Sequence, residues 1–164
     1  MNINKAILVL SFLSFIVSFT SCGSVSYVKN ILKSKITVQE AVDRKEQMDK
    51  TDNPAFVFER TKELKSKRIR IQDILVKDIV PSTNVDYKFC IIVSVPTNKG
   101  EIDCYVYAGT DDIFPEEDIK TISKIKKGVS KIDIEGDFNN FFTLLDETFT
   151  KIEIVNASIN IKKK

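Results

Sequence analysis

The stretch YKFCIIVSVPTNKGEIDCYVY, residues 87–107, decides the fold. Tyr87, Phe89, Ile91, Val93 and Val95 recur every second residue, as they would on one buried face of a strand. Pro96 to Gly100 supplies turn chemistry, after which Ile102, Cys104 and Val106 share one face while Glu101, Asp103, Tyr105 and Tyr107 share the other. If the two runs form a hairpin, an odd-numbered apolar residue must stand beside an even-numbered one. The simplest register places Val95 opposite Gly100 across a four-residue loop from Pro96 to Lys99. Cys90 and Cys104 then point to opposite faces, which predicts free thiols. A disulfide needs a register centred on Thr97, and that would set Glu101 and Asp103 beside apolar side chains.

Upstream, Ile69 and Ile71 alternate with Arg68 and Arg70, the pattern slips at Gln72-Asp73, and Ile74-Leu75-Val76 resumes it. This is how a long strand with a bulge reads. Residues 55–66 combine a strand-like front half with a helix-like back half, and we expect Phe56, Phe58 and Leu64 there to be buried. Before them, Thr37 and Glu40 form a capping box for a helix of about 12 residues that Thr51-Asp52-Asn53-Pro54 ends. Downstream, Glu116 to Lys126 reads as a short helix stopped by Gly128, and Val129, Ile132 and Ile134 lead a fourth strand to Gly136. Asn139 to Glu147 fits a short helix or a hairpin. Ile152, Ile154, Ala157 and Ile159 mark a last strand with an irregularity at Val155-Asn156, and Lys162-Lys163-Lys164 is a disordered tail.

Three strands, a short helix and two more strands is the order of a five-stranded Greek-key barrel, so the expected class is mainly β with short helices. The wording of strand one from Leu64 to Ile71, of strand four from Lys127 to Gly136, and of strand five from Ile152 to Ile159 resembles the OB-fold domains of the tRNA-anticodon-domain-like type. One departure is Gln72, where such domains often carry glycine. The resemblance implies binding rather than catalysis, and no site residue carries over with it.

The N-terminal segment gives an address. Lys5 is its only charge, Ala6 to Val17 is apolar but for Ser11 and Ser14, and Phe19-Thr20-Ser21-Cys22-Gly23 comes next. This resembles a bacterial lipoprotein signal peptide with its lipobox, although Phe19 stands where Leu is commonest. The resemblance implies cleavage before Cys22 and acylation of its thiol. The expected organisation is a signal peptide over 1–21, a tether over 22–36, a short helix over 37–52, an OB-like barrel over 53–161 and a tail over 162–164. With Gly23 rather than Asp after the cysteine, nothing argues for inner-membrane retention. We therefore expect an exported protein, lipid-anchored in the bacterial cell envelope at the outer membrane, with the face left open.

The chain beyond Cys22 is about 140 residues long, one domain's worth. The whole sequence has 25 basic against 23 acidic residues, so no global field draws it to nucleic acid or to an anionic surface. It has no histidine, which rules out Ser-His-Asp and Cys-His catalysis and every His-ligated metal site. Cys90 and Cys104 are too few for a four-cysteine metal site, and no cofactor is expected.

The outward side chains of strands one to three would include Arg68, Arg70, Lys88, Tyr105 and Tyr107, which together make the best candidate ligand patch: tyrosines stack on bases or sugars, and Arg or Lys hold phosphates or carboxylates. Tyr and Arg are also common on ordinary solvent faces of strands, where Lys88 and Tyr107 would form a cross-strand pair. Asp111, Asp112, Glu116, Glu117 and Asp118 cluster around Phe114-Pro115, but their spacing matches no calcium loop and acids suit a helix start. Phe138, Phe141, Phe142, Leu144, Leu145 and Phe149 read as core, or as a protein contact where exposed. The sequence thus favours a binding or interaction module without catalytic activity, taking a protein or an oligosaccharide rather than nucleic acid. A structural subunit or adhesin is the first alternative and a carboxylate-dependent enzyme the second.

Overall fold

The computed structural model describes residues 33–110, 115–142 and 151–162, with the side chains of 115–118 excepted. Cys22, most of the expected tether, Asp111 and Asp112, the side chains of Glu116, Glu117 and Asp118, and Leu144, Leu145 and Phe149 lie outside them. In chain order the elements are β1 (Lys35–Ile36), α1 (Val38–Asp49), α2 (Pro54–Lys65), β2 (Arg68–Pro81), β3 (Phe89–Thr97), β4 (Gly100–Ala108), α3 (Pro115–Ile122), β5 (Lys131–Phe142) and β6 (Lys151–Ile161).

Strands β2 to β6 close into a five-stranded barrel with OB connectivity. The sheet runs β2-β3-β4-β6-β5 and returns to β2 through an antiparallel β2–β5 pairing. The closing seam on the other side is parallel, with Cys104, Tyr105 and Val106 opposite Ile152, Glu153 and Ile154. β2 can serve two neighbours because it bends: Arg68 to Leu75 pair with β5, Val76 to Pro81 pair with β3. The bend falls where the alternation slips, between Ile71 and Ile74, and the left-handed residue is Asp73 at φ 52°. Asp73 is held in this costly conformation by its own N–H donating to Asp133 Oδ1 and by its carboxylate pairing with Lys131. Those two contacts do locally what a glycine would do by having no Cβ. A second irregularity, between Val76 and Asp78, was not foreseen.

The β3–β4 hairpin keeps the expected parity but shortens the loop. Cys90 faces Tyr107 and Thr97 faces Gly100, leaving only Asn98-Lys99 between the strands. Gly100, at φ +98°, takes the left-handed position that such a tight connection requires. Pro96 is tolerated in the extended strand because β2 has left β3 after Val93, so Pro96 owes no N–H to that side. The parity sends Cys104 into the core and Cys90 outward.

Inside the barrel, Ile69, Ile71, Val76, Ile91, Val93, Val106, Ile132, Ile134, Phe138, Ile152 and Ile154 are buried. β6 passes so close to β5 that a Cβ on Gly136 would lie 2.5 Å from Ile154 Cγ2 and 2.9 Å from the Val155 carbonyl. β5 runs six residues beyond the expected end at Gly136, to Phe142, by absorbing register shifts on either side of Asp137 and Phe138. The expected irregularity in the last strand is present, with Asn156 at φ 51°.

Two helices pack on the barrel ahead of β2. α1 begins as its capping box demands: Glu40 N–H donates to Thr37 Oγ1 at 3.2 Å and Thr37 N–H to Glu40 Oε2 at 2.6 Å. Its Val38, Ala41 and Met48 are buried, and Gln39 ties it to the β3–β4 turn by bonding Asn98. α2 settles the ambiguous segment as helix, because the Asn53 side chain accepts the N–H groups of Ala55 and Phe56 while Pro54 occupies the first turn. Helical geometry buries Leu64, half-buries Phe56 and leaves Phe58 66% exposed, contrary to the expectation for Phe58. The last two residues of the segment read as a tether, Lys35 and Ile36, form β1 and pair parallel with Arg68 and Ile69.

Candidate functional site

The five side chains expected to form one patch are not brought together. Arg68 leaves the barrel surface for a buried position at 5% exposure, roofed by its parallel partner Lys35. Its guanidinium donates to the carbonyls of Glu135 (2.8 Å) and Asn156 (3.4 Å), and lies 3.3 Å from the carboxylates of both Glu135 and Asp137. Nε faces Glu135 Oε1 off the line of a hydrogen bond. A guanidinium so committed binds nothing from solvent. Tyr107 is likewise 5% exposed, its hydroxyl donating to Glu153 Oε1 at 3.2 Å and its ring 5.9 Å from that of Tyr87. Lys88 is exposed in the loop before β3 and stands opposite Gly109, not Tyr107, whose cross-strand partner is Cys90.

Besides β1 over Arg68, a second segment covers the outer face. The loop between β2 and β3 folds back over the outer face of the barrel, where Tyr87 OH donates to Asn156 Oδ1 at 3.0 Å. Asn156 in turn donates to Asp137, which meets Arg68. A polar chain thus runs from Arg68 to Tyr87 and Tyr107, and it binds the strands to one another. Burial pushes the Tyr107 phenol above its ordinary pKa, and the nearby Glu153 charge adds to this.

Arg70 is exposed and lines a shallow groove of about 110 Å³ together with Gln72, Asp133, Glu135, Ser158 and Asn160. Its charge is shared: Lys35 holds Glu135 and Lys162 holds Asp133, each at 2.8 Å.

Tyr105 belongs to a different surface. Its half-buried ring meets Phe142 edge-on at 5.0 Å, carries Lys151 Nζ 5.5 Å above its centroid, and lies across the strand from half-buried Ile92. The patch is bordered by Asp103, which accepts from Ser94 and pairs with Lys77 at 2.8 Å, and by Glu153, which accepts from Asn139 at 3.0 Å. Partial burial raises the Asp103 carboxyl, but the bonds from Lys77 and Ser94 outweigh it and hold the pKa below the usual carboxylate value. A surface of one aliphatic side chain, two aromatic rings and a paired-charge rim can take an apolar or planar group and orient it by hydrogen bonds. Ile92 and Lys151 were missed from the sequence, whereas Phe142 is one of the phenylalanines expected to be core or, where exposed, a protein contact. The doublet Ile91-Ile92 was the available signal, since it puts an apolar residue on the outward face of an alternating strand.

Among the described residues no group of His, Cys, Asp and Glu side chains could hold a metal ion. Nor is any described helix long and apolar enough to cross a membrane.

No protein-family model and no curated protein sequence matches the chain. Among solved structures it is similar to the mitochondrial single-stranded DNA binding protein of S. cerevisiae, Rim1. That match has 17% sequence identity and a TM-score of 0.33, covering 59% of this chain and 97% of that one.

Proposed function

We propose that this chain is a non-catalytic binding module, exported and lipid-anchored through Cys22 to the bacterial cell envelope, whose barrel presents the Ile92–Tyr105–Phe142 surface to a protein or an oligosaccharide. The observation that carries the binding reading is that this surface is partly apolar, and several of the cations around the barrel are paired with carboxylates. Arg68 meets Glu135 and Asp137, Lys77 meets Asp103, Lys127 meets Asp78, and Lys131 meets Asp73. A polyanion binds by shedding its condensed counterions as Lys and Arg neutralise its phosphates, and a cation already paired with a carboxylate does this less readily. The anchor reading rests on the sequence from Lys5 through the apolar run Ala6 to Val17 to Phe19-Thr20-Ser21-Cys22-Gly23.

Two measurements test it. Intact-mass analysis of the protein from its native membranes, with protease shaving of the same cells, should give a chain beginning at an acylated Cys22. An unlipidated start elsewhere ends the anchor reading. Titration of the purified protein with single-stranded DNA at low salt should show no saturable binding. Tight, salt-sensitive binding that survives Tyr105→Ala would place the site elsewhere and make nucleic acid the ligand.

A further inference from the structure

Helix α2 carries a face that the fold does not use. At 3.6 residues per turn, Pro54, Ala55, Phe58, Lys62 and Lys65 share one side, and all five are exposed. The other side is committed, with Leu64 fully buried and Phe56 and Val57 packed against the core. Phe58 is 66% exposed. Lys62 and Lys65 have no ion-pair partner among the described residues, whereas on the flank Glu63 is neutralised by Arg44 and Arg60. Of the acids on α2, Glu59 lies beside this face. The stripe therefore carries one large apolar side chain, Phe58, in its N-terminal half and two lysines in its C-terminal half, an apolar anchor beside cations that can meet lipid headgroups.

Where the preceding chain joins the domain makes the occupant specific. Ser34 sits at the C-terminal end of α2, its carbonyl accepting Arg68 N–H at 3.0 Å and its hydroxyl accepting Lys67 Nζ at 2.8 Å. Between Cys22 and Ser34 there are too few residues to span more than about 40 Å even when extended. A lipid on Cys22 thus keeps Lys62, Lys65 and Lys67 within reach of headgroups. We infer that α2 docks on an anionic bilayer, with Phe58 entering the headgroup–acyl boundary and the lysines meeting lipid phosphates. This rests on the lipid-anchor reading and adds that the domain lies against the membrane instead of standing clear of it.

The chain contains no tryptophan, so Phe58→Trp is a unique depth reporter. The full lipidated protein with this change, reconstituted into phosphatidylcholine vesicles with or without phosphatidylglycerol, is tested with brominated acyl chains. In the anionic vesicles the emission should shift to the blue and fall at least about twofold on bromination, with little change in the neutral ones. Lys62→Glu with Lys65→Glu should abolish the difference, each lysine being worth roughly a fivefold change in partitioning at an anionic surface. Protein that floats with the vesicles yet is not quenched overturns the docking and leaves the anchor standing. Protein that does not float overturns both. A reporter already shielded from aqueous iodide without vesicles would assign the face to a second copy, and overturn the bilayer as its occupant.

Discussion

Replacing Arg68 by alanine separates a ligand-holding arginine from a structural one. The change removes hydrogen bonds to the Glu135 and Asn156 carbonyls and two ion pairs at 3.3 Å. Asp137, 6% exposed, loses the Arg68 guanidinium while still accepting from Asn156 at 3.2 Å. Breaking a buried pair from one side costs about 3–5 kcal/mol, and because Glu135 keeps Lys35 the lower end applies, about 3 kcal/mol. In urea that is a midpoint lower by about 2 M at unchanged slope. The measurement is equilibrium unfolding of the mature chain in non-ionic detergent, followed by circular dichroism. Asp137→Asn in the Arg68→Ala background should restore about 1 kcal/mol or more by removing a buried carboxylate that has lost the Arg68 guanidinium. A loss below about 0.5 kcal/mol, or an Asp137→Asn cost that simply adds to the first, would refute the buried network and return Arg68 to the pool of ligand residues.

Gly136→Ala should destabilise by about 2–3 kcal/mol, since its Cβ meets Ile154 Cγ2 at 2.5 Å and a backbone carbonyl at 2.9 Å, while Gly100→Ala, which meets nothing within 4 Å, should cost about 1 kcal/mol from its backbone conformation alone; equal losses in thermal melts would contradict the close β5–β6 approach. Burial pushes the Cys90 thiol up to about 12 and Cys104 higher still, so both should resist iodoacetamide at pH 8 until the protein unfolds, and reduction should leave the intact mass unchanged. Because the fold favours the protonated thiols, stability should also fall as pH rises from about 9. On the acid side, hydrogen bonds from Lys35, Arg44 and Lys162 hold Glu135, Glu63 and Asp133 below ordinary carboxylate values. Their contribution is complete above the unfolded carboxyl pKa and is lost as pH falls through the folded one, so melting temperature should decline below about pH 4; a maximum in acid would reverse the sign.

The features legible in the sequence were those that a local period or cap could carry. The alternation of Ile91 with Val93 and of Cys104 with Val106 gave two strands, their parity and the opposed thiols. The slip at Gln72-Asp73 marked the bend, and Thr37 with Glu40 marked the start of α1. The hairpin loop length was not legible, because parity is unchanged when the register moves by two residues and only the left-handed Gly100 distinguishes the choices. Phe58 misled for a related reason: an apolar residue in an ambiguous segment is buried or exposed according to whether the period is two or 3.6, and the Asn53-Pro54 cap decided for the helix.

Arg68, Lys88, Tyr105 and Tyr107 failed as a group because strand alternation fixes which face a side chain takes and says nothing of what else lies on that face. In a closed barrel the outer face is still available to loops and flanking strands. Here β1 roofs Arg68, and the segment ending at Tyr87 comes back over Tyr107, each contact depending on residues far away in sequence. The same reasoning picks out the remaining surface. Ile92, Tyr105 and Phe142 lie where neither β1 nor the β2–β3 loop reaches, with Phe142 and Lys151 at the strand ends on either side of the β5–β6 connection. An apolar residue on an outward strand position that none of the described elements covers keeps part of its surface in water unless something else supplies the cover. That makes Ile92→Lys the sharper probe of this face than any change to Arg68. It should leave unfolding within about 0.5 kcal/mol, since no core packing is lost, while abolishing binding of whatever partner the surface takes. A loss of several kcal/mol would instead show that Ile92 serves the barrel.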